Sequence, residues 1–145
     1  MRTLCSSAMI LGIVSNAQFY TPRTVNFFLE GEIYRSDRIK CINDDLQIYS
    51  FEMQRGKPDP ALYKRIVEVL GKKYNIPPQK SLYIGNDMLK DVMPAGSLGM
   101  KTVLFAGDKR SLRLRQDDPR LEQGLQPDHI ITELEQIFRI IDLVV

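Results

Sequence analysis

Short apolar runs recur along this chain at Met9–Val14, Leu46–Phe51, Ser81–Ile84 and Thr102–Phe105, with a briefer one at His129–Ile131. Helical patterns separate most of them, and that alternation predicts a parallel α/β sheet. Thr21 is placed to cap a helix whose first residue is Pro22, with Val25, Phe28 and Leu29 at core spacing before Gly31. Asp59 and Pro60 repeat the device, and Leu62, Ile66, Val69 and Leu70 then form one apolar stripe. A last helix is expected from the capping-box pair Thr132 and Glu135, burying Leu134, Ile137, Phe138 and Ile141. Gly31–Asp45 and Ala106–Pro127 read as loops.

The 145 residues, 43% apolar and 26% charged, suffice for one core, and one domain is expected. A formal net charge of +2 with interspersed signs supplies no field to attract nucleic acid or an anionic membrane, and neither partner is expected. No segment approaches the about 18 apolar residues of a membrane span. Arg2, the run Met9–Val14 and the small residues Ser15 and Ala17 imitate a secretory signal. The residues after the run favour a buried strand instead. Cys5 and Cys41 lack any CxxC or histidine-rich companion, so reduced thiols in a cytoplasmic protein are the expectation.

The most informative stretch is Leu82-Tyr83-Ile84-Gly85-Asn86-Asp87-Met88-Leu89-Lys90-Asp91, an apolar strand ending in Gly-Asn-Asp with a second aspartate one helical turn on. At this spacing Asp87 and Asp91 share a helix face just past the carboxyl end of a parallel strand, where α/β sheets place ligands. Hard oxygen ligands there suit Mg²⁺. The competing reading makes Asp87 a helix cap and leaves Asp91 in solvent. Arg55-Gly56-Lys57-Pro58-Asp59-Pro60 delivers Lys57 just before a helix N-terminus, where it could neutralise a phosphoryl group or stand as a solvated surface lysine. Leu11-Gly12-Ile13-Val14-Ser15-Asn16 ends a buried strand in a hydroxyl and an amide, a pair that is commonly turn chemistry. His129 reads as structural. The basic run Lys109-Arg110-Ser111-Leu112-Arg113-Leu114-Arg115, with Asp117, Asp118 and Glu122 close behind, reads as a solvated loop whose charges pair with one another. Pro94, two turns into a helix expected from Met88 to Leu98, should bend its axis, and Gly99 should end it.

In their order, strand-Ser, Lys-Pro-Asp-Pro and strand-Gly-Asn-Asp with Asp four later resemble the second, third and fourth motifs of the haloacid dehalogenase (HAD) superfamily. Gly-Asn-Asp-Met-Leu-Lys-Asp-Val, Leu-Gly-Met-Lys-Thr-Val-Leu-Phe and Ile-Val-Ser-Asn carry the resemblance, which runs from about Met9 to the C-terminus. It implies a Rossmann-like three-layer α/β core, a parallel sheet flanked by helices. It also implies a Mg²⁺-dependent phosphatase-type hydrolase, in which an aspartate attacks a small phosphorylated substrate and the aspartyl-phosphate is then hydrolysed. By motif, Ser15 and Lys57 take the catalytic positions and Ser15, Asn16 and Lys57 the phosphate-binding ones. Asp87 binds Mg²⁺, and Asp91 binds or orients it.

One departure outweighs the matches. The family's first motif, a strand followed by Asp-x-Asp, supplies the nucleophile, and this chain contains no Asp-x-Asp. In the family that motif precedes the serine motif by many residues, usually with a cap insertion between; here fourteen residues precede Ser15. The chain therefore reads as a partial core over residues 1–145, without a cap domain, and inactive alone. The family's first strand lies between the strands ending at Ser15 and Gly85. Its loss would leave unpaired edges, to be met by direct pairing of those two strands, by strand exchange in a homo-oligomer, or by low stability. Whether the chain is an enzyme stays open, the alternative being a non-catalytic binding or regulatory protein on a degenerate scaffold.

Overall fold

The structure, a computed structural model, describes residues 9–31 and 36–144. Arg2 and Cys5, which bear on the signal-sequence and thiol readings, lie outside them. Cys41 is disulfide-bonded, which corrects the expectation of a reduced thiol at that position. The chain divides into two compact units, one up to Val69 and one from Leu70.

The first unit holds β1 (Ile13–Ser15), α1 (Thr21–Glu30), β2 (Gln47–Tyr49), α2 (Ser50–Met53) and most of α3 (Pro60–Tyr74). Strands β1 and β2 are parallel, with Val14 beside Ile48 and Ser15 beside Tyr49. The expected strand Met9–Val14 thus forms only over its last residues and runs one further, to Ser15. A Cβ at Gly12 would come within 2.8 Å of Ile66 and 3.3 Å of Leu46, so the bare backbone lets the approach to β1 pack against α3. The α3 stripe is buried as read, with Leu62, Ile66, Val69 and Leu70 joined by Tyr63. Asp59 caps that helix, its carboxylate accepting from the Ala61 amide at 2.9 Å.

Helix α1 departs from its expected face. Tyr20 is its N-cap and contributes no side-chain bond, while the Thr21 hydroxyl accepts from the Gln18 amide. Phe28 is 76% exposed, and the buried positions are Pro22 and Asn26. The reason lies in the segment after the helix: the Asn26 amide group donates to the Arg38 carbonyl at 2.8 Å, and its oxygen accepts from the Lys40 amide at 3.1 Å. Gln47 makes a similar tie from β2. Its side-chain oxygen accepts from the Ile39 amide and the Tyr49 hydroxyl, and its nitrogen donates to the Ile39 and Ile42 carbonyls. Both buried amide side chains are thereby satisfied, as low-dielectric surroundings require. Burial pushes the Tyr49 phenol up to about 12, with Arg38 opposing.

The second unit is a three-stranded parallel sheet of order β3 (Leu82–Gly85), β4 (Lys101–Phe105) and β5 (His129–Ile131). Successive residues of the central strand face opposite sides. Val103 packs with Ile131 and with Ile137 and Ile140 of α5 (Ile137–Val144), whereas Leu104 packs with Met88 and Val92. Leu112, Leu121 and Leu125 complete this second cluster, so the segment Ala106–Pro127 contributes leucines to the core while carrying no strand or helix of its own. Helix cover on one face and packed chain on the other give the α/β arrangement expected of the sequence.

Three local expectations are corrected in this unit. Helix α5 is preceded by a 3-10 turn, Leu134–Gln136, in which the Gln136 side chain accepts from the Thr132 and Glu133 amides; the cap falls one residue later than the Thr132–Glu135 reading. Leu134 and Phe138 are exposed, and Ile140 takes the buried position. The helix expected from Met88 to Leu98 is wound as a π-helical turn, Met88–Val92, leading into the short α4 (Met93–Gly96). Pro94 has no amide to continue the ladder, and the interruption appears as this change of winding. Gly99 closes the segment at φ 83°.

Candidate phosphoryl-transfer residues and the Gly85–Asp91 turn

Asp128 holds the entrance of the sheet. Its carboxylate accepts from the Thr102 amide at 2.8 Å and hydroxyl at 2.9 Å, and from Lys101 at 3.2 Å. The Thr102 hydroxyl in turn accepts from the Asp128 amide. Burial raises the Asp128 carboxyl, but the bonds from Thr102 and Lys101 outweigh it and hold the group below the ordinary carboxylate range.

At the opposite, carboxyl end of β3 the chain turns through Gly85, Asn86 and Asp87. The Asp91 carboxylate folds back under this turn, one oxygen accepting from the Asn86 and Asp87 amides at 3.1 Å each and the other from the Tyr83 hydroxyl at 3.4 Å. Asp91 is 3% exposed, which excludes the reading that left it in solvent. Gly85 is required by the same contact, since a Cβ there would overlap the Asp91 side chain. Asp87, also buried, does cap the turn after it: one carboxylate oxygen accepts from the Leu89 and Lys90 amides, both at 3.0 Å. The cap reading and the ligand reading of Asp87 are therefore compatible, because capping engages only that oxygen.

The other oxygen meets Arg115, whose Nε and Nη2 lie at 3.1 and 2.8 Å. Burial raises the Asp87 carboxyl; Arg115 and the Lys90 and Leu89 amides more than offset this and keep it below the ordinary range. The basic run is accordingly not a loop whose charges pair only with one another. Arg120 does pair with Asp118 at 2.7 Å, but Arg113 forms a parallel bridge with Asp87, accepting from the Met88 amide and donating to the Asn86 carbonyl. The Asn86 side chain donates to the Ser111 carbonyl at 2.7 Å. Sequence reading singled out the Gly85-Asn86-Asp87 turn but missed the pairing of Arg115 with Asp87, which carries no local signal.

In the first unit, Ser15 is half-buried at the end of β1. Asn16, next to it, grips the loop Arg55–Asp59: its oxygen accepts from the Lys57 amide at 2.6 Å and its nitrogen donates to the Lys57 carbonyl at 3.3 Å. Gly56 lies against the Asn16 side chain, where a Cβ would come within 3.3 Å. The Ala17 backbone is held at both its polar groups by the Ser50 hydroxyl. Ser15, Asn16 and Lys57 are thus gathered at one strand end, with Asn16 anchoring the lysine's backbone. Asp59 also pairs with Arg55 at 3.0 Å, and the Ala61 amide, then Arg55, lower its carboxyl.

The donor set at Asp87 and Asp91 is made of hard carboxylate oxygens, and among the described residues no group of three His, Cys, Asp or Glu side chains is placed to hold a metal. One or two carboxylates completed by waters and phosphate oxygens is the usual manner of holding Mg²⁺, so the residues fit such an ion in kind. No described helix is long and apolar enough to cross a membrane.

Comparison with known proteins bears on the family and the fold. A family model described as HAD-hydrolase-like matches residues 54–137. The chain is 29% identical over 86 residues to glyceraldehyde 3-phosphate phosphatase of Pyrococcus furiosus, covering 59% of this chain and 32% of that protein. Its fold resembles a HAD phosphatase of Thermococcus onnurineus (TM-score 0.62, 21% identity, 90% of this chain and 49% of that one). It also resembles the magnesium-bound putative HAD-hydrolase YfnB of Bacillus subtilis (TM-score 0.66, 17% identity, 97% and 51%). The chain spans about a third of that curated relative and half of each of these solved chains. With more than half of its length matched by the family model, from the end of the first unit's loop through the Gly85–Asp91 turn to α5, the chain belongs to the HAD-hydrolase-like family.

Proposed function

We propose that this chain carries part of the site of a Mg²⁺-dependent, phosphatase-type hydrolase acting on a small phosphorylated substrate, and that it is inactive by itself. The observation that carries the reading is the Gly85–Asp91 turn, where a buried carboxylate pair is fixed by four backbone amides at the carboxyl end of a parallel strand. Asp87 would hold the cation, and Asp91 fixes the turn that aims it. When bound, Mg²⁺ supplies positive charge against the phosphoryl oxygens. Ser15 donates to a phosphoryl oxygen, Lys57 balances negative charge, and Asn16 holds the lysine's loop through its backbone.

The Asp-x-Asp that supplies the family's nucleophile is not in this sequence. By the resemblance, a phosphoryl group bound here would lack that motif's attacking aspartate, and removal of a nucleophile costs several orders of magnitude in rate. The test is hydrolysis of p-nitrophenyl phosphate by the purified chain with Mg²⁺, alongside calorimetric titration of inorganic phosphate. No turnover, with phosphate binding weakened in Lys57→Ala, is the expected result. Magnesium-dependent turnover that disappears in Asp87→Asn would overturn the inactivity, and phosphate binding indifferent to Lys57→Ala would overturn the role of the lysine.

A further inference from the structure

The Asp87 carboxylate, proposed as the cation's anchor, already has a cationic partner, and the inference drawn from that partner rests on the anchor role. One of its oxygens is taken up by the Leu89 and Lys90 amides, and the other lies under the Arg115 guanidinium, with Nη2 at 2.8 Å and Nε at 3.1 Å. A divalent cation on that second oxygen would sit within a few ångström of a full positive charge, so the two cannot occupy it together.

The contact is built rather than incidental. The segment Ser111–Arg115 is laid against the turn by the Asp87–Arg113 bridge, with the Met88 amide donating to the Arg113 carbonyl at 2.9 Å and the Arg113 amide to the Asn86 carbonyl at 2.8 Å. Arg115 itself adopts φ 57°, a left-handed conformation that side-chain-bearing residues rarely take. The Asp118 amide donates to the Arg115 carbonyl at 2.9 Å and holds that conformation. The Asp87 side chain is 8% exposed and that of Arg115 32%, so the guanidinium has an outward path to solvent while covering a carboxylate that solvent barely reaches.

We propose that Arg115 is the resident counter-ion of Asp87 and competes with the divalent cation for it, so that cation entry requires the guanidinium to swing out. The chain then has two states at this turn, closed on Arg115 and open to the metal. The apparent cation affinity is reduced by the fraction of molecules that are closed.

Calorimetric titration of Mg²⁺ into the intact chain tests this with wild type, Arg115→Ala, Arg115→Gln and, as a control for simple loss of charge, Arg110→Ala. Both Arg115 variants should bind Mg²⁺ at least about tenfold tighter than wild type, with Arg110→Ala within about twofold. In wild type, the Arg115 Nε–H resonance should lose its hydrogen-bonded position and its protection from exchange as Mg²⁺ saturates. Equal affinity of wild type and the Arg115 variants overturns the competition, as does an unmoved Nε–H resonance at saturating Mg²⁺. Tightening of the same size in Arg110→Ala assigns the effect to general electrostatics and overturns it too. If the Arg115 variants and wild type all fail to bind, the cation role of Asp87 falls along with the proposal; unchanged binding across the set leaves that role standing.

Discussion

Gly85 and Gly71 are both bare positions, but their surroundings give opposite expectations for a methyl group. At Gly85 the methyl would overlap the Asp91 carboxylate, whose retreat would break its bonds to the Asn86 and Asp87 amides. Gly85→Ala should therefore destabilise the protein by about 1–3 kcal/mol in urea unfolding. At Gly71, within α3, nothing lies within 4 Å, and Gly71→Ala should stabilise by about 0.5–1 kcal/mol because alanine loses less backbone entropy in a helix. Asp91→Ala removes an acceptor from two amides at once and should cost about 1–3 kcal/mol, again read by urea unfolding. The turn that holds the two aspartates was legible as a strand end followed by a capped helical turn, a local pattern, although the expected α-helical spacing is replaced by a π-wound turn with Asp87 as its cap. Arg115 was not, since its pairing with Asp87 depends on a chain path 28 residues long and on a left-handed backbone at a non-glycine residue.

Strands β2 to β5 fell where apolar runs placed them, and β2 and the middle of β4 are buried on both faces, as such runs suggest, whereas Ile84 of β3 and Ile130 of β5 stay exposed. Helix faces were harder. Phe28, Leu134 and Phe138 sit at core spacing yet are exposed, while Asn26 is buried because its amide ties down Arg38 and Lys40. Which face of a helix turns inward is settled by what the rest of the chain presents to it, and periodicity alone does not contain that. Between β4 and β5, Asp128 gives a prediction about acidity. Its carboxyl is held below the ordinary range, so the ionised form is favoured by folding. That contribution is present above the unfolded pKa and is lost as pH falls through the lower folded value. Asp128→Asn should accordingly be less stable than wild type at neutral pH, with the difference shrinking below about pH 4 in thermal melts recorded across pH. At the end of β1, Asn16→Ala should speed hydrogen exchange of the Lys57 amide, whose acceptor it removes, while leaving the α3 amides unchanged.

Taken whole, the chain gathers its predicted site residues in two places, Ser15, Asn16 and Lys57 in one unit and Asp87 and Asp91 in the other. Among the described strands, β1 and β2 form a parallel pair in the first unit, and β3, β4 and β5 a parallel sheet in the second. The family and fold class were readable from motif order, because each motif couples a strand end to a helix start, a pattern local enough to survive in sequence. Two-sheet organisation was not readable, since strand pairing is non-local. The central claim is that Asp87 is the cation-holding carboxylate, and Mn²⁺, a hard ion that broadens nearby resonances, locates such a ligand directly. Asparagine at position 87 keeps the cap and removes the charge, so Asp87→Asn is the fitting control. Titration of Mn²⁺ into the isotopically labelled chain should broaden the amides of Asn86, Asp87, Leu89 and Lys90 first in wild type and leave them sharp in Asp87→Asn. Broadening centred elsewhere, or undiminished in Asp87→Asn, would contradict the assignment.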